Sequence, residues 1–221
     1  MQRMLIPTGS KCIDSLLGGG VETGTVTQIY GHGGTGKTTL CLMLAKNAAE
    51  QFKVAYIDTE GLSGERVRQI FGDERLFSNV FVYEVYRFRQ QGVAIQEAEK
   101  LCRSEKVKLV IVDCFTSLYR SELEDDRKQI KIKRELTSQL TFLLGMARKY
   151  DVAVVITNQM FTDVGSGVDR PLGGPSLEHL SKVIIALERS DELRKATLIK
   201  HRWMKEGKSC FYRITDRGIE P

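Results

Sequence analysis

Gly31-His32-Gly33-Gly34-Thr35-Gly36-Lys37-Thr38 is the stretch on which the fold turns. It fits G-x-x-x-x-G-K-[ST], the phosphate-cradling loop, which requires a strand leading in and a helix leading out. Both flanks comply. Val26-Thr27-Gln28-Ile29-Tyr30 is apolar and β-favouring, and Thr39-Leu40-Cys41-Leu42-Met43-Leu44-Ala45 is helical in pattern. The four glycines keep Cβ atoms away from the phosphates. The backbone N–H groups of the loop and of the first helical turn, His32, Thr35 and Thr39 among them, point at the anion. Lys37 reaches the β- and γ-phosphates as a point charge, and the Thr38 hydroxyl is suited to ligate Mg2+. ATP and Mg2+ are therefore the expected ligands.

The rest of the composition suits a protein built around that loop. The chain has 221 residues, 42% of them hydrophobic, enough for one α/β domain over residues 1–221. No apolar run is long enough to span a bilayer. Residues 1–7 show no extended apolar region and no cleavage site, so no secretory signal is expected and a cytoplasmic location is. Cys12, Cys41, Cys102, Cys114 and Cys210 are scattered, with no C-x-x-C pair. They read as small buried apolar residues in a reducing compartment, not as a metal cluster. The net charge of +5 is a mild prior for a polyanionic partner. There is no internal repeat, Pro-rich linker or low-complexity tract.

Along the chain, apolar strands alternate with helical patterns. A short helix is expected over residues 8–17, capped by Thr8 or Ser10, before Gly18-Gly19-Gly20. Strands are expected at 54–58, 80–83, 107–113 and 152–157, and helices at 63–71, 92–104 and 126–150. The runs at 107–113 and 152–157 are almost unbroken in hydrophobicity, as in strands buried on both faces. This alternation indicates a mostly parallel sheet flanked by helices. Past residue 180 three strands with short connections follow, at 182–187, 196–201 and 209–214, with a turn at Lys205-Glu206-Gly207-Lys208. They are expected as antiparallel strands at one edge of the sheet.

Three polar groups stand where a nucleotide site would need them. Asp113 ends an apolar strand, and open α/β sheets bind ligands at that edge, so Asp113 reads as the acid that holds Mg2+. The next residue is Cys114, so a catalytic base must come from elsewhere. Glu60, in Asp58-Thr59-Glu60, can orient and deprotonate a water in line with the γ-phosphate. Gln159, in Thr157-Asn158-Gln159, can hydrogen-bond the γ-phosphate and report it to the segment that follows. Lys37, Glu60 and Gln159 form the expected catalytic set.

These elements, in this order, resemble the RecA-type ATPases. Thr8-Gly9-Ser10-Lys11-Cys12-Ile13-Asp14-Ser15-Leu16-Leu17-Gly18-Gly19-Gly20 is similar to the TGS-x-x-[LI]-D-x-L-LGGG opening of the archaeal and eukaryotic recombinases. Asp58-Thr59-Glu60-Gly61 is similar to their D-T-E-G, and Thr157-Asn158-Gln159 to their T-N-Q. Arg170-Pro171-Leu172-Gly173-Gly174, with His179, resembles their R-P-x-G-G…H. The resemblance implies a RecA-type core that starts without the family's N-terminal helical DNA-binding domain and its F-x-x-A docking linker. It is greatest to core-only archaeal paralogues, which implies ATP and DNA binding, weak ATPase and no strand exchange unaided. It further implies association with the main recombinase, RadA, and with a Holliday-junction resolvase.

Residue by residue, the resemblance places Arg66 on the adenine ring, a flat surface that suits a guanidinium; a solvated helix residue is the alternative. Lys200 and Arg202, in Lys200-His201-Arg202, match a K-x-R finger that related proteins insert at a neighbouring subunit's γ-phosphate, which would require self-association. The alternative is edge-strand charge that blocks aggregation. The family's first DNA loop falls near residues 118–134, where Arg120, Arg127, Lys128 and Lys131 are candidates for phosphate contacts. Glu122, Glu124, Asp125 and Asp126 oppose that use and suit the start of a helix. Arg170 is a candidate in the second loop, and Tyr119 and Phe161 are the aromatics beside the loops. The competing readings are a filament-forming, DNA-stimulated ATPase and a RecA-like oligomeric phosphotransfer module that does not bind DNA.

Overall fold

The computed structural model describes residues 3–104, 106–123, 129–162 and 169–221. Strands β1 (Leu5–Ile6) and β2 (Val21–Glu22) pair antiparallel and bracket helix α1 (Lys11–Leu17). Strand β3 (Thr25–Gly31) runs into the phosphate loop and then α2 (Lys37–Ala49). There follow β4 (Lys53–Asp58), α3 (Gly64–Phe71), α4 (Glu74–Phe77), β5 (Val80–Glu84), α5 (Phe88–Ser104) and β6 (Val107–Asp113). Then come α6 (Ser117–Glu122), α7 (Gln129–Tyr150), β7 (Ala153–Thr162), β8 (Asp169–Pro171) and α8 (Pro175–Leu180). The chain closes with β9 (Val183–Ser190), β10 (Leu193–Lys200), β11 (Ser209–Thr215) and β12 (Gly218–Glu220).

The main sheet has the order β12-β11-β10-β9-β3-β7-β6-β4-β5, with β8 added antiparallel to the end of β7. From β9 to β5 the pairings are parallel, and from β9 to β12 they are antiparallel. This is the expected mostly parallel sheet with antiparallel strands at its C-terminal edge. Side chains alternate between the two faces. Ile29, Tyr56, Ile111 and Val155 pack beneath α2 in one core, and Val26, Ile57, Val112 and Ile156 beneath α5 and α7 in the other. Helix α7 meets its core through Ile132, Leu136, Leu140, Leu143 and Ala147, one stripe at helical spacing. No helix among the described residues is long and apolar enough to cross a membrane.

The structure departs from four expectations. Ser10 occupies the N-cap of α1 but its side chain makes no capping bond; the Asp14 carboxylate reaches back instead and accepts from the Thr8 N–H at 2.7 Å. Part of the segment expected as a DNA loop is helix α6, because Tyr119 is buried against Phe88 with ring centroids 6.0 Å apart. Strand β12 and the short α8 are additions to the expected elements, since neither carries a strong hydrophobic period. The uniform reading of the cysteines also fails: Cys12 and Cys210 form a disulfide across 198 residues, with Cα atoms 6.0 Å apart. Cys41, Cys102 and Cys114 are free and buried, as expected.

Candidate functional site

The phosphate loop joins the C-terminal end of β3 to α2, so the N–H groups at the start of α2 face the cavity beyond the sheet edge. Gly36, the N-cap of α2, has φ 97°, a left-handed conformation that an L side chain resists. Gly31 lies so close to the Leu187 carbonyl that a Cβ would overlap it. Around the resulting cavity of about 470 Å3 stand Gly31, His32, Gly33, Gly34, Gly36, Lys37, Thr38, Thr39, Glu60 and Gln159. Thr35 is fully buried behind it, its hydroxyl donating to the His32 carbonyl at 2.9 Å. Sequence positions 31–39, 60 and 159 are thus brought to one place.

Lys37 is only 9% exposed. Its ammonium donates to the carbonyls of Gly31 (2.9 Å) and His32 (3.1 Å), which hold it over the loop. Asp113, buried at the end of β6, is not among the lining residues; its Oδ1 accepts from the Thr157 hydroxyl (2.6 Å) and Oδ2 from the Tyr56 hydroxyl (2.8 Å). Those bonds fix the carboxylate's plane and leave lone pairs for a hydrated ion. The donor set fits Mg2+: a hydroxyl at Thr38 and a carboxylate at Asp113, both hard oxygens. Among the described residues there is no group of three or more His, Cys, Asp or Glu that could hold a metal ion.

Glu60 owes its position to Asp58. The Asp58 carboxylate accepts from the backbone N–H groups of Glu60 (3.1 Å), Gly61 (2.9 Å) and Leu62 (2.6 Å), folding that loop over the sheet edge. Although Glu60 is an exposed residue, its carboxyl stands in the cavity mouth, where Gln159 Nε2 donates to Oε1. Loss of water around the carboxyl, and then the negative charge of Asp113, push its pKa above the ordinary 4.5; Lys37 and the Gln159 bond act in the opposite sense.

Several contributors to the site lie far off in the sequence. The Arg189 guanidinium donates to the Gly33 carbonyl (3.0 Å) and Arg194 Nε to that of Gly34 (3.2 Å), placing two cations on the phosphate loop. The fully buried Tyr212 donates its hydroxyl to the Thr35 carbonyl at 2.7 Å, and burial holds its phenol well above the usual range. Ile214, on β11, lines the cavity wall. No motif marks any of these four. Arg66 sits beside the cavity, tied to Thr39 Oγ1 (3.3 Å), Gln69 Oε1 (2.9 Å) and the Asp216 carbonyl (3.3 Å).

The candidates for DNA contact divide. Arg120 lines the cavity at the phosphate loop itself. Lys131 on α7 and Arg170 on β8 are exposed, while Arg127 and Lys128 lie outside the described residues. His32 Nε2 and Asp169 Oδ2 are 2.7 Å apart, and Asp169 Oδ1 accepts from Thr162 at 2.6 Å, so the phosphate loop is bonded to the β7–β8 pair. Those two contacts, Thr162 first, hold the Asp169 carboxyl below its ordinary pKa. Lys200 closes β10, in register with Ile184 of β9 and through it with Gln28 of β3, and neither Lys200 nor Arg202 lines the cavity at the phosphate loop. Lys200 donates to the Glu178 carbonyl (2.7 Å), and Arg202 stands 3.6 Å from the Glu22 carboxylate.

Fold and site together define a RecA-type protein with a phosphate loop. A family model described as Rad51 matches residues 1–221. The relatives include the DNA repair and recombination protein RadB of Methanococcoides burtonii, 45% identical over 95% of this chain and 94% of that one. The RadB of Methanoculleus marisnigri is 46% identical, with 97% and 96% covered. A solved structure described as the RadB recombinase superposes with a TM-score of 0.82 at 35% identity, covering 98% of this chain and 99% of that one. The chain belongs to the Rad51 family and, within it, to the RadB proteins. ATPases of this family use nucleotide and Mg2+.

Proposed function

We propose that this chain acts in DNA repair and recombination as an ATP-controlled DNA-binding accessory that turns ATP over slowly and does not exchange strands unaided. The observation that carries the reading is the placement of Gln159. Its side chain meets Glu60 in the nucleotide cavity, while its carbonyl accepts from Leu172 N–H at the base of the β7–β8 pair. A γ-phosphate that draws Gln159 away from Glu60 therefore shifts the segment carrying Arg170. The His32–Asp169 contact is a second link between the same two parts.

ATP-bound Mg2+ supplies charge neutralisation at the phosphates, with Thr38 and Asp113 as its protein-side donors. Lys37 and the loop N–H groups bind and orient the triphosphate. Glu60 accepts the proton of the attacking water, so it must be ionised. Glu60→Gln is expected to lower turnover by roughly 10²- to 10⁴-fold while ATP affinity, read by calorimetry, stays within a few-fold. In the unsubstituted protein the acid limb of the turnover profile lies above pH 4.5, because the carboxyl's pKa is raised; activity is lost as the pH falls through it. A limb at or below that value, or full activity in Glu60→Gln, removes Glu60 from the role.

DNA binding is read as sequence-independent contact with phosphates. Titration of single-stranded DNA at rising salt should give a linear loss of log affinity with log salt, and affinity insensitive to salt overturns that mode. Turnover measured with and without DNA separates this reading from the filament-forming ATPase, which requires strong stimulation. The same assay across protein concentrations tests whether Lys200 and Arg202 serve a neighbouring copy: rates independent of concentration count against it. Association with the main recombinase and with a Holliday-junction resolvase, in a cytoplasmic setting, completes the proposal; gel filtration showing neither complex would remove that part.

A further inference from the structure

Arg120 is an exposed cation in the lining of the cavity at the phosphate loop, and its guanidinium makes no ion pair or hydrogen bond among the described residues. The lysine and the carboxylate of the same lining are engaged, Lys37 on the carbonyls of Gly31 and His32 and Glu60 by the Gln159 amide. The guanidiniums of Arg66, Arg189 and Arg194 nearby each bond to protein oxygens. A cation that faces an anion site uncommitted is placed for the anion.

The position of Arg120 follows from the sheet edge. Strand β6 ends at Asp113, and α6 starts at Ser117, on the edge that carries the phosphate loop. The Ser117 and Thr59 hydroxyls lie 2.6 Å apart, which ties the start of α6 to the loop that carries Glu60. The Thr116 hydroxyl donates to Asn158 Oδ1 (2.5 Å) and accepts from the Gln159 N–H (3.5 Å), which ties it to the strand that carries Gln159. Arg120 is one turn on from Thr116, its N–H donating to the Thr116 carbonyl at 3.1 Å, so the two share a face of the helix. Tyr119, the next residue round, is buried against Phe88 and anchors the helix with Arg120 towards the cavity. The guanidinium is thus mounted on the same frame as Glu60 and Gln159.

We propose that Arg120 contacts the γ-phosphate of ATP held by its own chain, an arginine supplied in cis, and not DNA. The planar fork of a guanidinium matches two phosphate oxygens at once. The γ-phosphate is the relevant one because α6 is bonded to the two segments whose side chains attend it. In hydrolysis the water oxygen bonds to the γ-phosphorus as its proton passes to Glu60. The bond to the β–γ bridging oxygen breaks, and its electron pair leaves with ADP. Arg120, unchanged throughout, meets the charge on the equatorial oxygens. The proposal rests on the reading of this cavity as the ATP site.

The test reads binding before turnover. Isothermal titration with Mg2+ gives affinities for ADP and for a nonhydrolysable ATP analogue. Arg120→Ala is expected to lower affinity for the analogue about ten- to hundredfold and to leave that for ADP within about twofold. Its thermal midpoint should hold, since the side chain is exposed. Turnover at saturating ATP should fall by roughly 10²- to 10³-fold, and Arg120→Lys, which keeps the charge without the fork, should restore affinity for the analogue more than turnover. Equal losses for the analogue and ADP, or no loss for either, overturn the proposal. So does a variant that binds both nucleotides as before and loses affinity for single-stranded DNA, which assigns Arg120 to the strand. A mixture of Arg120→Ala and Glu60→Gln chains should regain no turnover; recovery places the arginine in a neighbour's site and overturns action in cis. An unsubstituted protein that binds neither nucleotide overturns the ATP reading itself.

Discussion

Lys37→Ala lowers ATP affinity by about 2–5 kcal/mol, roughly thirty- to several-thousandfold, because it removes one partner of a desolvated charge pair. The ammonium is 9% exposed and held by two loop carbonyls, so little reorganisation is needed before it meets the phosphates. The carbonyls of Gly31 and His32 border the cavity and regain water in the variant, so the fold should survive. Isothermal titration with ATP and Mg2+, alongside circular dichroism to verify folding, measures the effect. A folded variant that binds ATP within threefold of the unsubstituted protein would show that the triphosphate lies elsewhere.

Reducing the Cys12–Cys210 bridge lowers the unfolding free energy by about 5 kcal/mol, since a cross-link spanning nearly the whole chain removes the most entropy from the unfolded state. The bridge ties α1 to β11, the strand that carries Tyr212 to the Thr35 carbonyl and Ile214 to the cavity wall. Stapling β11 therefore also braces the phosphate loop. Denaturant midpoints should fall together for the reduced protein and for the doubly substituted Cys12→Ser, Cys210→Ser chain. Superimposable curves with and without reductant, or titration of all five thiols in the oxidised protein, would contradict the bridge.

Lys37 and the bridge are encoded in different ways. The placement of Lys37 is legible in the amino-acid order alone, since a phosphate loop is local: its residues are consecutive, and the flanking strand and helix announce themselves by hydrophobic period. Asp113, Glu60 and Gln159 are legible for a related reason. In a parallel sheet every strand ends at the same edge, so a polar residue closing an apolar run is delivered to the ligand side wherever that strand falls in the order. The disulfide has no such signature, because two cysteines at opposite ends of a chain carry no spacing rule. Ser10 has the chemistry of a helix cap yet makes no capping bond, and Asp14 ties the helix to the Thr8 N–H before it, because local propensity fixes the kind of residue and not the bond it makes.

By itself, then, the amino-acid order determined the phosphate loop, the α/β alternation and the polar residues that follow the apolar strand runs, all of which depend on short-range periodicity and on a shared sheet edge. Only the tertiary structure decided which distant cations and hydroxyls brace that loop. Strand β3 lies between β7 and β9, neighbours remote in sequence, and the β9–β10 and β10–β11 pairings continue from there to bring Arg189, Arg194 and Tyr212 to the carbonyls of Gly33, Gly34 and Thr35. It also turned Arg120 towards the cavity at the phosphate loop and tied Lys200 to the Glu178 carbonyl and Arg202 to the Glu22 carboxylate. Strand order within a sheet is set by how apolar faces are buried together, and that is a property of the whole packed chain.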